Sequence, residues 1–287
     1  MSAPRFFDCH SHWATAQTHI FRTPEELARQ ESIWKTKGRH WAEGEMMDYM
    51  RKNNARAILD IAYYKRHSIE EIKKLHDYAF DVAKRNRDVV FGHWLQFDGT
   101  RWEFARSEFL RGREADVGFV GFAIGGQTLG QPASDPMWFP FYELCIETNT
   151  PIMIMTGLTG IGQGTPGGFG ISLDDGHPRH IDFVAARYPE LRILAARPAY
   201  PWQDDMIAVL LHKANVSYEL HGWGPKQLSS SLKKDIDRRF SNRVMAGCDF
   251  PVLQYEKISA DWRTLGYSDD VVDKILYRNA EAYFSAK

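Results

Sequence analysis

The sequence has little cysteine, no excess of charge of either sign and no long hydrophobic run, and each shortage excludes something. Cysteine occurs only at Cys9, Cys145 and Cys248, too few and too scattered for a disulfide framework or a cysteine-based zinc site, which fits a reducing compartment. Lys and Arg total 36 against 37 Asp and Glu, a formal net charge of -1, so there is no field to gather nucleic acid or an anionic membrane surface. No apolar run approaches the ~18 residues that cross a bilayer. Residues 1–5 lead straight into a strand-like segment rather than a secretion signal. The expectation is a soluble cytoplasmic protein that meets a small molecule, with neither nucleic acid nor membrane as a partner.

What is present is ordinary globular material with one excess. The 287 residues are 44% hydrophobic and 25% charged, yet 13% are aromatic, with nine Trp. That is more than a core requires and points to a pocket for a flat or apolar small molecule.

Short β-branched or aromatic runs recur, at 5–9, 56–61, 89–95, 118–124, 152–155, 192–196, 216–220 and 243–246, and read as eight strands. Helical signals separate them. Thr23-Pro24-Glu25-Glu26 is an N-cap with proline in the first turn, and Ser68-Ile69-Glu70-Glu71 is a capping box before an amphipathic run to Lys84. Further helices are expected at about 136–148, 178–188, 203–213, 225–239 and 268–283. Eight units in 287 residues, at about 36 each, predict an α/β fold, a (β/α)8 TIM barrel forming a single domain over 1–287. Two segments exceed ordinary loop length, 13–41 and the glycine-rich 156–176; both follow strand carboxyl ends and are expected to be lid and wall of a pocket.

The sharpest motif is Asp8-Cys9-His10-Ser11-His12. Strand alternation places His10 and His12 on one side, spaced to grip one metal ion, with Cys9 facing the helices. Asp249, in Gly247-Cys248-Asp249-Phe250-Pro251, follows the eighth strand, which neighbours the first in a closed barrel. Two imidazoles and a carboxylate suit Zn²⁺ or Mn²⁺ with an open position, and the carboxylate can also act as a general base.

This combination resembles the amidohydrolase-related family, the branch that includes aminocarboxymuconate semialdehyde decarboxylase and γ-resorcylate decarboxylase. The resemblance covers nearly the whole chain. Besides the two motifs above it lies in Pro151-Ile152-Met153-Ile154-Met155-Thr156-Gly157, Thr165-Pro166-Gly167-Gly168-Phe169-Gly170, Arg197-Pro198-Ala199-Tyr200-Pro201-Trp202-Gln203-Asp204, Gly222-Trp223-Gly224-Pro225-Lys226 and the closing Arg278-Asn279-Ala280-Glu281. It implies a TIM barrel, often a homodimer, handling small carboxylated or phenolic molecules. It also implies two replacements: Met155 stands where the family commonly has a metal-binding histidine, and Arg197 where it has a histidine that activates water or protonates substrate. A thioether is a poor ligand for such a dication, and a guanidinium is no base near neutral pH.

Three functions remain open at this point. In one, His10, His12 and Asp249 hold a metal, Arg197 clamps a carboxylate or phenolate, and Asp249 or a water on the metal moves the proton in decarboxylation or hydrolysis of a small aromatic or unsaturated acid. In another the protein works without metal, as in the 2-pyrone-4,6-dicarboxylate lactonases, with Asp249 as base and Arg197 binding a carboxylate. In the third it is a catalytically silent binding protein in which Arg197 neutralises Asp249 or Asp8. Trp13, Trp202 and Trp223 flank strand carboxyl ends, where a flat substrate would stack. His221, after the seventh strand, is an acid or base or a wall residue; His93 is a pocket contact or a barrel-layer residue, according to register. His177 and His180 are a replacement ligand pair or a helix start, and the glycines at 160–168 lack the Lys-Ser/Thr of a phosphate loop.

Overall fold

A computed structural model describes residues 5–19, 23–61, 67–97 and 99–285; residues 1–4 and 20–22, which fall in the expected amino-terminal and first inserted segments, lie outside it. Eight parallel strands form one sheet in chain order. They are β1 (Phe6–His12), β2 (Ala55–Ile61), β3 (Val90–Gln96), β4 (Phe119–Ile124), β5 (Ile152–Met155), β6 (Ile193–Ala196), β7 (Val216–Glu219) and β8 (Val244–Met245). The barrel closes between β1 and the chain leaving β8: Cys9 N donates to Ala246 O at 3.2 Å, Asp249 N to His10 O at 3.0 Å and His12 N to Phe250 O at 2.8 Å.

Helices follow the strands: α1 (Pro24–Trp34), α2 (Glu43–Lys52), α3 (Ile69–Arg85), α4 (Trp102–Arg113), α5 (Gly126–Leu129), α6 (Phe139–Glu147), α7 (Pro178–Arg187), α8 (Gln203–His212), α9 (Ser230–Asp235), α10 (Tyr255–Arg263), α11 (Asp269–Asp273) and α12 (Asn279–Ser285). The capping boxes at Thr23 and Ser68 are both formed, each hydroxyl accepting from the third backbone N–H while the following Glu returns the bond. The expected helix over 225–239 is instead a short 3-10 turn, then α9 opened by Ser229, then a π turn at Ile236–Phe240.

Alternation along the strands splits the apolar residues into two cores. Phe7, Cys9, Ile58, Trp94, Ala123, Met153, Met155, Leu194, Ala196 and Met245 fill the barrel interior, while residues such as Leu59, Ile152 and Tyr218 pack outward against the helices. The carboxyl-terminal helix closes the amino end of the barrel, with Phe284 stacked on Phe7 at 5.8 Å and edge-on to Trp94. Cys9 corrects one expectation. The β1–β2 register shifts between Asp8 and Ser11, so that Cys9 and His10 together oppose Ile58, and this bulge turns Cys9 into the barrel instead of toward the helices.

The two long segments meet each other. Gly160 lies so close to the Trp34 ring that a Cβ there would come within 2.6 Å of it, and the Arg29 guanidinium sits 4.7 Å from the Phe169 ring centroid. Among the described residues no helix is long and apolar enough to cross a membrane.

Candidate active site

The carboxyl ends of β1, β2, β6, β7 and β8 bring polar side chains together where the interior apolar core stops. His12 pairs in register with Asp60 of β2, and both point inward. Asp60 accepts from His10 Nε2 at 3.1 Å and from Gln96 Nε2. On the other side, Asp249 Oδ1 lies 3.2 Å from His12 Nε2 and 3.8 Å from His10 Nδ1. His221 stacks at 4.0 Å from the His10 ring, and its Nδ1 lies 2.5 Å from Glu219 Oε2. The side chains of His10, Asp60, Glu219 and His221 are wholly covered, whereas His12 and Asp249 keep 16% and 14% exposure and face the mouth.

Local chemistry fixes this arrangement. Asp8 and Ser11 leave the site and pin its scaffold: Cys248 N donates to Asp8 Oδ1 at 2.9 Å, Tyr255 OH to Asp8 Oδ2 at 2.7 Å and Phe250 N to Ser11 Oγ at 2.8 Å. Asp249 is thereby held against β1. It adopts φ 57° and Arg197 φ 76°, a left-handed conformation that costs a side-chain-bearing residue about 1–2 kcal/mol. Gly247 is required where it stands, because a Cβ there would lie 1.7 Å from Glu219 Oε1.

Burial sets the charges. It pushes His10 down to about 4, helped by His221, and His221 down to about 3, so both imidazoles are neutral with lone pairs to offer. Burial pushes Glu219 up to about 8. It opposes ionisation of Asp249 too, but the hydrogen bond from His12 and the nearby imidazoles outweigh it and hold that carboxyl below the usual range. For His12, burial is outweighed by the same hydrogen bond, and its pKa rises. Arg197 is lowered by burial and forms no ion pair among the described residues; its one side-chain hydrogen bond is a 3.5 Å contact from Nη1 to Leu158 O, so the guanidinium is available to an anion. In the expected alternative Arg197 neutralises Asp249 or Asp8; it forms no ion pair with either, although the Asp249 and Glu219 charges act on the guanidinium through space.

The donor set fits a divalent cation. His10 Nδ1, His12 Nδ1, Asp60 Oδ1, Glu219 Oε1 and His221 Nε2 are buried without a hydrogen-bond partner. Two trios, His10/His12/Asp60 and His10/His221/Asp249, each bring one ligand atom per residue within 4.8 Å of one another. Neutral imidazole and carboxylate are ligands for Zn²⁺ or Mn²⁺.

Sequence reasoning placed His10, His12, His221, Asp249 and Arg197 in one region, and the fold brings them together. It overlooked Asp60 and Glu219, whose signal is a lone acid in an otherwise apolar strand, as in Ala57-Ile58-Leu59-Asp60-Ile61. Trp13 does not face the mouth as expected: it is fully buried, parallel to His93 at 5.8 Å and against Tyr78, because His93 points outward from β3. Trp202 and Trp223 are half-buried, against His177 and Tyr200 respectively. His177 caps α7 by accepting from Arg179 N, and His180 bonds Ser134 Oγ and Asp174 O, so both hold the loop rather than the site. Met155 ends β5 inside the barrel, beside Ala196 of β6.

The fold is shared with solved structures over nearly the full chain. An uncharacterised TIM-barrel protein from Bordetella bronchiseptica superposes with a TM-score of 0.78 at 16% identity, covering 99% of this chain and 100% of that one. The 5-carboxyvanillate decarboxylase of Novosphingobium aromaticivorans, complexed with manganese and 4-hydroxy-3-methoxy-5-nitrobenzoic acid, gives 0.71 at 16%, covering 98% and 96%. A dihydroxybenzoic acid decarboxylase from Polaromonas, with bound manganese and 2-nitroresorcinol, gives 0.67 at 15%, covering 98% and 96%. No curated protein matches the sequence. The amidohydrolase family model matches residues 7–285, from the first strand of the barrel to the helix that closes its base, and the chain belongs to that family.

Proposed function

We propose that the protein is a metal-dependent decarboxylase of a small aromatic carboxylic acid. The observation that carries this is the buried cluster of imidazoles and carboxylates with unpartnered ligand atoms, set beside an arginine that forms no ion pair among the described residues. The manganese and aromatic ligands held by the two decarboxylases of the same fold support the substrate class and the cation, Mn²⁺ or Zn²⁺. The working unit is one barrel domain spanning 1–287, a cytoplasmic homodimer, in which 13–41 and 156–176 are the lid and wall.

A divalent cation would be held in the cluster around His10 and Asp249 and would supply Lewis acidity toward the substrate oxygens. Arg197 binds the carboxylate or phenolate through charge-assisted hydrogen bonds, and Trp202 and Trp223 flank the ring. Asp249 and His12 share a proton at the exposed edge of the cluster, where it can pass to the ring carbon bearing the carboxylate. The carbon–carbon bond then breaks, CO2 leaves with the carboxylate carbon, and water at the mouth restores the proton. His221 forms the buried wall behind the His12–Asp249 pair, its ring 4.0 Å from that of His10.

A second reading, metal-free lactone hydrolysis with Asp249 as base, is favoured by Met155 at the end of β5 and by the fixed charge of Arg197. One experiment separates the readings. Purified protein is analysed for metal, then assayed with hydroxylated benzoates and with carboxylated lactones before and after chelation. Decarboxylase turnover that is lost with the metal and restored by Mn²⁺ or Zn²⁺ supports the proposal. Lactone hydrolysis indifferent to chelation replaces it with the second reading, and ligand-induced thermal stabilisation without turnover marks a silent binding protein.

A further inference from the structure

Two buried imidazoles, each backed by a buried carboxylate, carry a more specific assignment that rests on the metal-dependent reading above. His10 presents its ring nitrogens to different neighbours. Nε2 is 3.1 Å from Asp60 Oδ2, while Nδ1 has no hydrogen bond and lies 3.8 Å from Asp249 Oδ1. Asp60 Oδ2 accepts from Gln96, which fixes it, and accepting from His10 as well puts the ring proton on Nε2 and leaves the Nδ1 lone pair on the Asp249 side. His221 has a similar geometry, with Nδ1 at 2.5 Å from Glu219 Oε2 and a buried Nε2 that has no partner; a cation at Nε2 requires the proton shared by Nδ1 and Glu219 to sit on Nδ1. His12 also has an unpartnered nitrogen, Nδ1, 4.0 Å from Asp60 Oδ2, but its Nε2 is engaged with Asp249 at 3.2 Å.

We propose that the divalent cation is held by His10, His221 and Asp249, with Asp60 and Glu219 as positioning residues behind the two imidazoles and His12 outside the ligand set. These three residues bring one ligand atom each within 4.8 Å of one another. The ligands then come from β1 and from the chain leaving β7 and β8, so the ends of β5 and β6, occupied by Met155 and Arg197, need supply none. A carboxylate behind a ligating imidazole orients the ring and raises its basicity, which is commonly worth about 10- to 100-fold in metal affinity. His12 stays free to move a proton.

The test is titration of apo protein with Zn²⁺ and Mn²⁺, with stoichiometry from elemental analysis and affinity from competition with a chromophoric chelator. Far-UV circular dichroism of each apo variant verifies its fold. His221→Asn should abolish stoichiometric binding, Asp60→Asn and Glu219→Gln should each weaken it roughly 10- to 100-fold, and His12→Gln should leave it within a few-fold of wild type. In the unmutated protein, ¹⁵N-histidine spectra should show Zn²⁺ shifting Nδ1 of His10 and Nε2 of His221 while His12 keeps its tautomer, a readout that survives any folding failure of the variants. Binding lost in His12→Gln but retained in His221→Asn, or a zinc-induced shift at His12 in place of His221, overturns the assignment and leaves the metal-dependent function standing. A wild-type protein that takes up neither cation overturns both.

Discussion

His12 Nε2 and Asp249 Oδ1 lie 3.2 Å apart at the open edge of a cluster whose other members are covered. The pair joins the end of the first strand to the chain leaving the eighth, and it is where a proton can cross between solvent and a bound ring. His12→Gln keeps a side chain that can hydrogen bond but removes the ionisable one. It should lower kcat by about 10²- to 10⁴-fold with little change in KM. Steady-state kinetics on the substrate identified by the chelation assay check this; an unchanged kcat would remove His12 from the proton path.

Arg197 is expected to bind substrate rather than to react. Arg197→Gln removes the charge and should raise KM for the acid by roughly 10- to 100-fold, the loss of one or two charge-assisted hydrogen bonds. Inhibition by the decarboxylated phenol tells which group the arginine holds. If the phenol binds the variant as well as wild type, the guanidinium grips the carboxylate; if its binding falls in parallel, the phenolate is the partner.

Stability toward acid should depend on a pair far from the chemistry. Burial disfavours ionised Glu108, but hydrogen bonds from His76 at 2.8 Å and from Arg111 outweigh it and hold the carboxyl at about 2, below its ordinary 4.5. A depressed folded value stabilises above the unfolded pKa and loses that contribution as pH falls toward the folded one. Glu108→Gln should therefore be less stable at pH 7, on the order of 2 kcal/mol, with the gap closing between about pH 5 and pH 2. His76, lowered by burial, adds loss in the same direction below its ordinary 6.5. Urea midpoints across that range give the result, and a gap independent of pH would refute the linkage.

Much of this was legible in the chain. Every strand was located to within a few residues, because parallel barrel strands are short β-branched or aromatic runs and the helices between them carry capping residues such as Thr23 and Ser68. Helices α2, α4, α5 and α10 were passed over, since none of them opens on a side-chain cap as α1 and α3 do. His10, His12 and Asp249 could be brought together from motif and closure alone. Asp60 and Glu219 could not, because a single acid in an apolar strand does not announce which face it occupies until the register is known.

The sequence by itself determined the barrel and the end at which its polar residues gather, since both follow from alternation and from eight repeated strand–helix units. Only the tertiary structure decided which nitrogen of each site histidine is free, that Cys9 turns inward while Trp13 is buried against His93, and that Arg197 forms no ion pair among the described residues. Those outcomes depend on a one-residue register shift in β1 and on side chains more than two hundred residues apart. Neither is encoded in any local pattern of the chain.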